Sequence, residues 1–251
     1  MSKTWRDDMV KNEPEKTIVI IPAHNEGAHI AGIVHQIKVN YPSIDMVVID
    51  DGSIDDTKAK AMLAGASVIS NPFSLGYGGA LQTGYKFAVK NGYHLLVQLD
   101  GDGQHDPACI DDLIEPVRSG IADITIGSRF LASQTKGIDQ PAYRAPVARM
   151  IGMKIFGAIA TFLIKQKVTD PTSGYQAMNS RVFNILSGDT FPIDYPDADV
   201  IIMLHRAGFR VREIPVRMFP SPDDKSMHSG LKPLYYIFKM FLSILVTLLR
   251  K

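Results

Sequence analysis

The chain has one cysteine, Cys109, so no internal disulfide can hold its fold. Its opening residues, MSKTWRDDMVKNEPEK, lack the apolar stretch of a secretory signal, and together these features predict a reducing, cytoplasmic setting. Neither sign of charge dominates: 27 Lys and Arg stand against 26 Asp and Glu. That balance removes the global electrostatic reason to expect nucleic acid as a partner. Internal repeats and low-complexity segments are missing too, and so is the G-x-x-x-x-G-K-[ST] phosphate loop. No glycine-rich loop leading to a basic residue follows Ile21, which argues against a nucleotidyltransferase.

What is present suffices for a full core: 251 residues, 45% hydrophobic. The reading is a loose arm over 1–16, one domain over 17–230 and an apolar segment over 231–251. Short β-branched runs alternate with helical patterns. Thr17 to Ile21 reads as a strand and Ile30, Ile33, Val34 and Ile37 as one face of a helix. Met46 to Ile49 repeats the strand, followed by a helix over about 55–64 with Ser53 or Asp55 as its N-cap. Further strands are expected at 67–69, 95–99, 123–127 and 211–216, and helices at 110–119, 145–164 and 198–207, with TDPTSGYQAMNS as a loop. This alternation predicts an α/β, Rossmann-like, mainly parallel sheet with helices on both faces and a ligand crevice at the carboxyl ends of its strands.

Acidic motifs fall at those ends. PAHNEG follows the first strand and DDGSIDDT the second, placing Glu26, Asp50 and Asp51 where carboxylates can accept hydrogen bonds from a base or ribose. The ordinary alternative is turn and capping chemistry. GYGGALQTG is either a phosphate cradle or a helix start that needs small residues for close packing. In QLDGDGQHDP, Asp100 and Asp102 point the same way if the strand persists. They can then share Mg²⁺ or Mn²⁺ while substrate phosphates complete the shell. Gln104 can add a carbonyl oxygen, His105 has no assigned role, and Asp106 with Pro107 reads as a helix start.

The ordered set PAHNE, DDGSIDDT, NPFSLGYGGALQTG, LDGDGQHDP and GSRF closely resembles the inverting family 2 glycosyltransferases of GT-A fold. It is most similar to the branch that acts on dolichyl and polyprenyl phosphates. The resemblance spans about 17–228. It implies a nucleotide-sugar donor, UDP- or GDP-linked, contacted by Pro22, His24, Glu26, Asp50, Asp51, Gly79 and Asp100. It also implies Mn²⁺ or Mg²⁺ held by Asp100, Asp102 and Gln104. His24 stands where the family usually has tyrosine. The acceptor implied is a polyprenyl phosphate, met by Arg129 of GSRF and Arg144 of PAYRAP, because guanidinium groups suit phosphate oxygens.

Asp199 lies nine residues before Gly208 and matches the family's base or acceptor-positioning acid, with Asp197 as its rival and Asp102 as a second catalytic carboxylate. A sugar hydroxyl needs such a base, whereas a phosphate monoester, with a second pKa of about 6, is already largely dianionic. A saccharide-hydroxyl acceptor and a non-catalytic nucleotide-sugar-binding module are the rival readings. The loop SPDDKSMH departs from the family pattern, with Ser221 at an arginine position and Asp224 at a glycine position. Lys225, Ser226 and His228 remain as phosphate contacts.

From Pro233 to Leu249 the only charge is Lys239. At 17 residues this is at the lower limit for crossing a hydrocarbon core of roughly 30 Å. Two readings stand level: a helix lying on the inner face of the cell membrane, and a helix packed against the domain or a second subunit. A homo-oligomer or a small membrane-protein partner belongs to the same expectation.

Overall fold

The structure, a computed structural model, describes residues 15–132, 147–194, 196–220 and 232–249. Its first half alternates as the apolar patterning predicts: β1 (Thr17–Ala23), α1 (Ile30–Asn40), β2 (Asp45–Asp50), α2 (Thr57–Ala64), β3 (Ser67–Ser70), α3 (Gly76–Lys90) and β4 (Leu95–Gln98). A short 3-10 turn leads into α4 (Ile110–Arg118), then β5 (Ile124–Ser128) and the single turn α5 (Arg129–Ala132). The second half holds α6 (Val147–Ile164), β6 (Gln176–Asn179), α7 (Ser180–Leu186), α8 (Ala198–Arg206), β7 (Val211–Pro215) and α9 (Lys232–Leu249).

All seven strands form one sheet in the order β3-β2-β1-β4-β6-β5-β7. β1 through β4 run parallel, as do β5 and β7, while β6 is antiparallel to both β4 and β5. β6 corrects the sequence reading, which left TDPTSGYQAMNS as a loop. Its turn-forming residues end at Gly174, and the short run behind them enters the middle of the sheet.

Both faces of the sheet are covered. Ile18 and Ile20 of β1 face a core built with α3, α6, α7, α8 and α9. Val19 and Ile21 face the other core, under α1 and α4. A strand buried on both sides reads as a continuous apolar run. Small residues in α3 allow close packing: a Cβ on Gly84 would lie 2.9 Å from Cδ1 of Ile20. The start of α2 differs from the expected cap, for Asp56 occupies that position without a side-chain bond to the helix N–H groups. Asp55 instead accepts from the Thr57 N–H at 3.0 Å and from the Gly27 N–H at 3.0 Å, tying α2 to the β1 exit.

α9 packs on the domain. Met240 and Ile244 are buried, Phe156 of α6 meets Phe241 edge-on at 5.4 Å, and Lys239 pairs with Asp194 at 2.7 Å. Arg206 of α8 donates to the carbonyls of Thr247 and Leu248 at 3.3 and 2.9 Å, placing a cation at the negative end of the α9 dipole. Packing against the domain is therefore right for one face of this helix. Phe238, Leu242, Leu245 and Leu249 lie on its exposed side.

Buried Asp123, just before β5, ties three strand ends together. It accepts from Arg210 N and Nε at 2.9 Å each and from Asn179 Nδ2 at 3.0 Å. The Arg210 hydrogen bonds hold its carboxyl down, from 3.8 to about 2. A depressed folded-state value means this stabilisation is complete above the ordinary carboxylate range and is lost as pH falls toward the folded value. Asp123→Ala is expected to lower unfolding free energy at pH 7 by about 2 kcal/mol. In urea titrations at successively lower pH, the gap to wild type should close between about pH 4 and 2.

Candidate active site

The carboxyl ends of β1, β2, β4 and β5 open on one edge, and the antiparallel β6 starts there. Leaving β1, Asn25 adopts φ 57°, in the left-handed region. Asparagine tolerates that conformation when its side chain bonds locally. Its N–H donates to Ser53 Oγ at 3.0 Å, and its Oδ1 accepts from Ile54 N–H at 2.9 Å. The DDGS turn after β2 thereby holds the HNE turn after β1, and Asp50 accepts from Ser53 N–H at 3.1 Å within that turn. His24 is exposed and its Nδ1 lies 2.8 Å from the Asp51 carbonyl oxygen. Glu26 is half-buried beside it, and Pro22 is buried at the end of β1 with its carbonyl accepting from Gly101 N–H at 3.2 Å.

Both oxygens of Asp51 are occupied. Oδ1 accepts from Asn71 Nδ2 at 2.8 Å and Leu75 N–H at 2.9 Å, and Oδ2 from Ser74 Oγ at 2.8 Å and Gly76 N–H at 2.9 Å. Burial pushes this carboxyl up, yet the four donors outweigh it and leave it below the ordinary value. Four donors fill the accepting capacity of a carboxylate. Asp51 therefore organises the loop that starts α3, in which Gly79 is buried against Leu75.

β4 ends at Gln98, so Asp100 and Asp102 do not share a strand face. A turn brings them together instead. The Asp100 backbone N–H donates to His105 Nδ1 at 3.0 Å, and its Oδ1 accepts from Tyr77 OH at 2.8 Å. Asp102 accepts from the Gln104 backbone N–H at 2.9 Å and from Gln104 Nε2 at 2.6 Å. Gln104 thus turns its amide nitrogen onto Asp102. Burial raises both carboxyls, and the charge of Asp100 raises Asp102 further.

His105 is buried and stacks on Tyr175 at 4.8 Å. Burial pushes it down to about 4, and accepting at Nδ1 leaves its proton on Nε2, 3.8 Å from Asp100 Oδ2. It is therefore a neutral prop for Asp100, which answers the sequence's open question. Asp106 starts the next turn by accepting from Ala108 N–H at 3.0 Å, and it holds Arg217 Nε at 2.6 Å. Phe219 N–H donates to the Gln104 carbonyl at 2.7 Å, so the segment after β7 straps the whole loop.

Among the described residues, no group of three His, Cys, Asp or Glu side chains is placed to hold a metal ion. What the edge offers is two half-buried neighbouring carboxylates, which fits a hard divalent cation whose shell is completed by substrate phosphates. Relief of their mutual repulsion favours such an ion.

The acceptor-side residues are deeper than their sequence pattern suggests. Arg129 is buried at the end of β5, where its Nε donates to Asp170 Oδ2 at 2.6 Å and its N–H to the same oxygen at 3.2 Å. Asp199, at 0% exposure, lies in the first turn of α8. Its Oδ1 accepts from the N–H groups of Asp197 and Val200 at 3.0 and 2.9 Å, and its Oδ2 from the Ser243 hydroxyl of α9. Burial raises this carboxyl, and the Ser243 hydroxyl and those N–H groups offset part of the rise. Arg144, Lys225, Ser226 and His228 lie outside the described residues.

Sequence reasoning passed over Tyr77, Gln98, Gly174 and Ser243. A signal existed for Gln98: a buried amide in the apolar run LLVQL must have partners. Tyr85 OH donates to its Oε1 at 2.5 Å, and its Nε2 donates to Tyr77 OH at 3.2 Å.

The model of a family described as glycosyl transferase family 2 matches residues 18–186. Polyprenol monophosphomannose synthase of Mycolicibacterium smegmatis is 31% identical over 215 residues, covering 80% of this chain and 77% of the relative. Undecaprenyl-phosphate mannosyltransferase of Micrococcus luteus is 28% identical, covering 86% and 88%. Among solved structures, glucosyl-3-phosphoglycerate synthase from Mycobacterium tuberculosis, in complex with Mn²⁺, uridine diphosphate and glucosyl-3-phosphoglycerate, superposes with a TM-score of 0.66. At 20% identity, with 93% of this chain and 80% of that one covered, that likeness shows the fold, which is GT-A-like.

Asp51→Ala strips four donors of their acceptor. It is expected to lower stability by about 2 kcal/mol in urea titration and to speed limited proteolysis within the exposed stretch around Phe73 relative to wild type.

Proposed function

The chain belongs to the family 2 glycosyltransferases, and we propose that it moves a sugar from a nucleotide-diphospho-sugar to a polyprenyl phosphate. The names of its relatives support this reading. The observation in the chain itself that carries it is Asp199. Buried, and accepting from Ser243, Asp197 and Val200, this carboxylate is not presented as an open base. A hydroxyl acceptor depends on general-base help, worth about 10²–10⁴-fold. A phosphate monoester, largely dianionic near neutrality, needs none.

In the proposed mechanism a phosphate oxygen of the acceptor attacks the anomeric carbon. The bond from that carbon to the donor diphosphate breaks on the opposite side, and the nucleoside diphosphate leaves with the electron pair, inverting the centre. No proton has to move. Asp100 and Asp102, with Gln104 clamping Asp102, are the residues that would hold Mn²⁺ or Mg²⁺, which when bound neutralises charge on the leaving diphosphate. His24, Glu26 and the turn built on Asp50 and Asp51 border the nucleotide, beside Pro22 and Gly79. Arg129, fixed by Asp170, lends positive potential from beneath the site, where it offsets part of the rise that burial gives the Asp100 carboxyl.

The acceptor places the enzyme at a lipid surface. Among the described residues no helix is long and apolar enough to cross a membrane. The outer face of α9 and the exposed Phe162 of α6 nevertheless flank an apolar groove of about 500 Å³, lined by Ile159, Leu163, Phe241 and Leu245 among others. Neither helix contains an acidic residue, a composition that suits an anionic bilayer surface.

The test is a panel of GDP-mannose, UDP-glucose and UDP-N-acetylglucosamine with undecaprenyl phosphate and Mn²⁺. Lipid-linked sugar is expected from at least one donor; no product from any of them overturns the acceptor. Asp199→Asn is expected to keep more than about a tenth of wild-type turnover, whereas a drop of about 10³-fold would restore the hydroxyl reading. Leu242→Glu combined with Leu245→Glu is expected to abolish flotation with anionic vesicles while leaving the melting temperature within a few degrees. Unchanged flotation would remove α9 as the lipid contact.

A further inference from the structure

Tyr77 opens α3, immediately after the loop that Asp51 organises. Its side chain is 40% exposed, so it borders the open edge, while its hydroxyl reaches inward to Asp100 Oδ1 at 2.8 Å. The direction of every hydrogen in this network is fixed. A carboxylate only accepts, so Tyr77 must donate to Asp100. Tyr77 then accepts from Gln98 Nε2, and Gln98 uses its Oε1 to accept from Tyr85 OH. Tyr85 is buried and packed edge-on against Phe191 at 5.6 Å. A continuous chain of donors thus runs from the core to one oxygen of Asp100.

The other side of the pair is closed by backbone. Gln176 of β6 lies opposite Gln98 of β4 in the sheet register, which carries Gly174 beside the site. A Cβ on Gly174 would collide with the Tyr77 hydroxyl and lie 2.8 Å from Asp100 Oδ2. A phenylalanine at 77 would fill the same space, so what the hydroxyl adds is those two hydrogen bonds.

We infer that Tyr77 is a positioning residue for the metal carboxylate Asp100, joining the loop that Asp51 organises to the metal loop through one phenolic hydrogen bond. The inference rests on the reading of Asp100 as a metal carboxylate. Tyr77 sets the Oδ1 orientation of Asp100 and His105 holds its backbone N–H, so the hydroxyl couples the loop that Asp51 organises to the metal site. Groups that orient metal-binding carboxylates typically contribute 10–100-fold to metal affinity.

The experiment titrates Mn²⁺ into the full-length protein with UDP or GDP present, following loss of the free-ion EPR signal. Wild type is expected to bind and Asp100→Asn not to bind. Tyr77→Phe is expected to weaken Mn²⁺ binding about 10-fold, to raise the Mn²⁺ concentration for half-maximal transfer equally, and to recover most of kcat at saturating Mn²⁺. Gly174→Ala, which crowds both the hydroxyl and the Asp100 carboxylate while leaving tyrosine in place, should weaken binding at least as much. Wild-type binding with Tyr77→Phe unchanged, or with Gly174→Ala alone impaired, overturns the positioning role and leaves the metal reading intact. If wild type binds no Mn²⁺ with either nucleotide, the metal reading falls and the inference with it.

Discussion

Asp100 and Asp102 repel each other, and partial burial sharpens the repulsion by removing part of the water that would screen it. Much of the carboxyl edge is arranged to hold this unfavourable pair in place. Tyr77 and His105 fix Asp100, and Gln104 fixes Asp102. Arg217 and the Phe219 N–H hold the loop from the side of β7. Beneath them Arg129, itself paired with Asp170, lends positive potential to Asp100. Such a pair stores electrostatic cost in the folded protein that a bound cation would relieve.

The first half of the fold was legible because β1, β2 and β4 are buried on both faces, and strands in that setting announce themselves as unbroken apolar runs. The strand-end motifs were legible for the same reason: once the strands were placed, their carboxyl ends were placed too. β6 escaped because its four residues, Gln176 to Asn179, carry amides at both ends and follow turn-forming residues. Its strand character comes from the two neighbours it pairs with, and pairing across long sequence separations leaves little local trace.

Within the site, residue types were easier to read than residue surroundings. That Asp100 and Asp102 belong together followed from their spacing, but the reason offered, a shared strand face, fails because the strand ends first. Asp51 and Arg129 carry motifs that suggest open contacts, yet the Asp51 carboxylate is filled by four donors from residues 71–76 and Arg129 is buried against Asp170, distant in sequence. Ser243 illustrates the limit: nothing near it in the chain marks it as the partner of Asp199, and only the docking of α9 on α8 brings the two together.

That docking fixes a length. Ser243 touches Asp199 on the inner side of α9, while Leu242 and Leu245 lie on its outer side, so one helix diameter, about 10 Å, separates the start of α8 from whatever α9 rests upon. With α9 lying on a bilayer, a lipid phosphate would meet the domain near headgroup height and need not be drawn far from its own leaflet. The thickness of a single helix would then serve as a spacer, setting the depth at which substrate and protein meet.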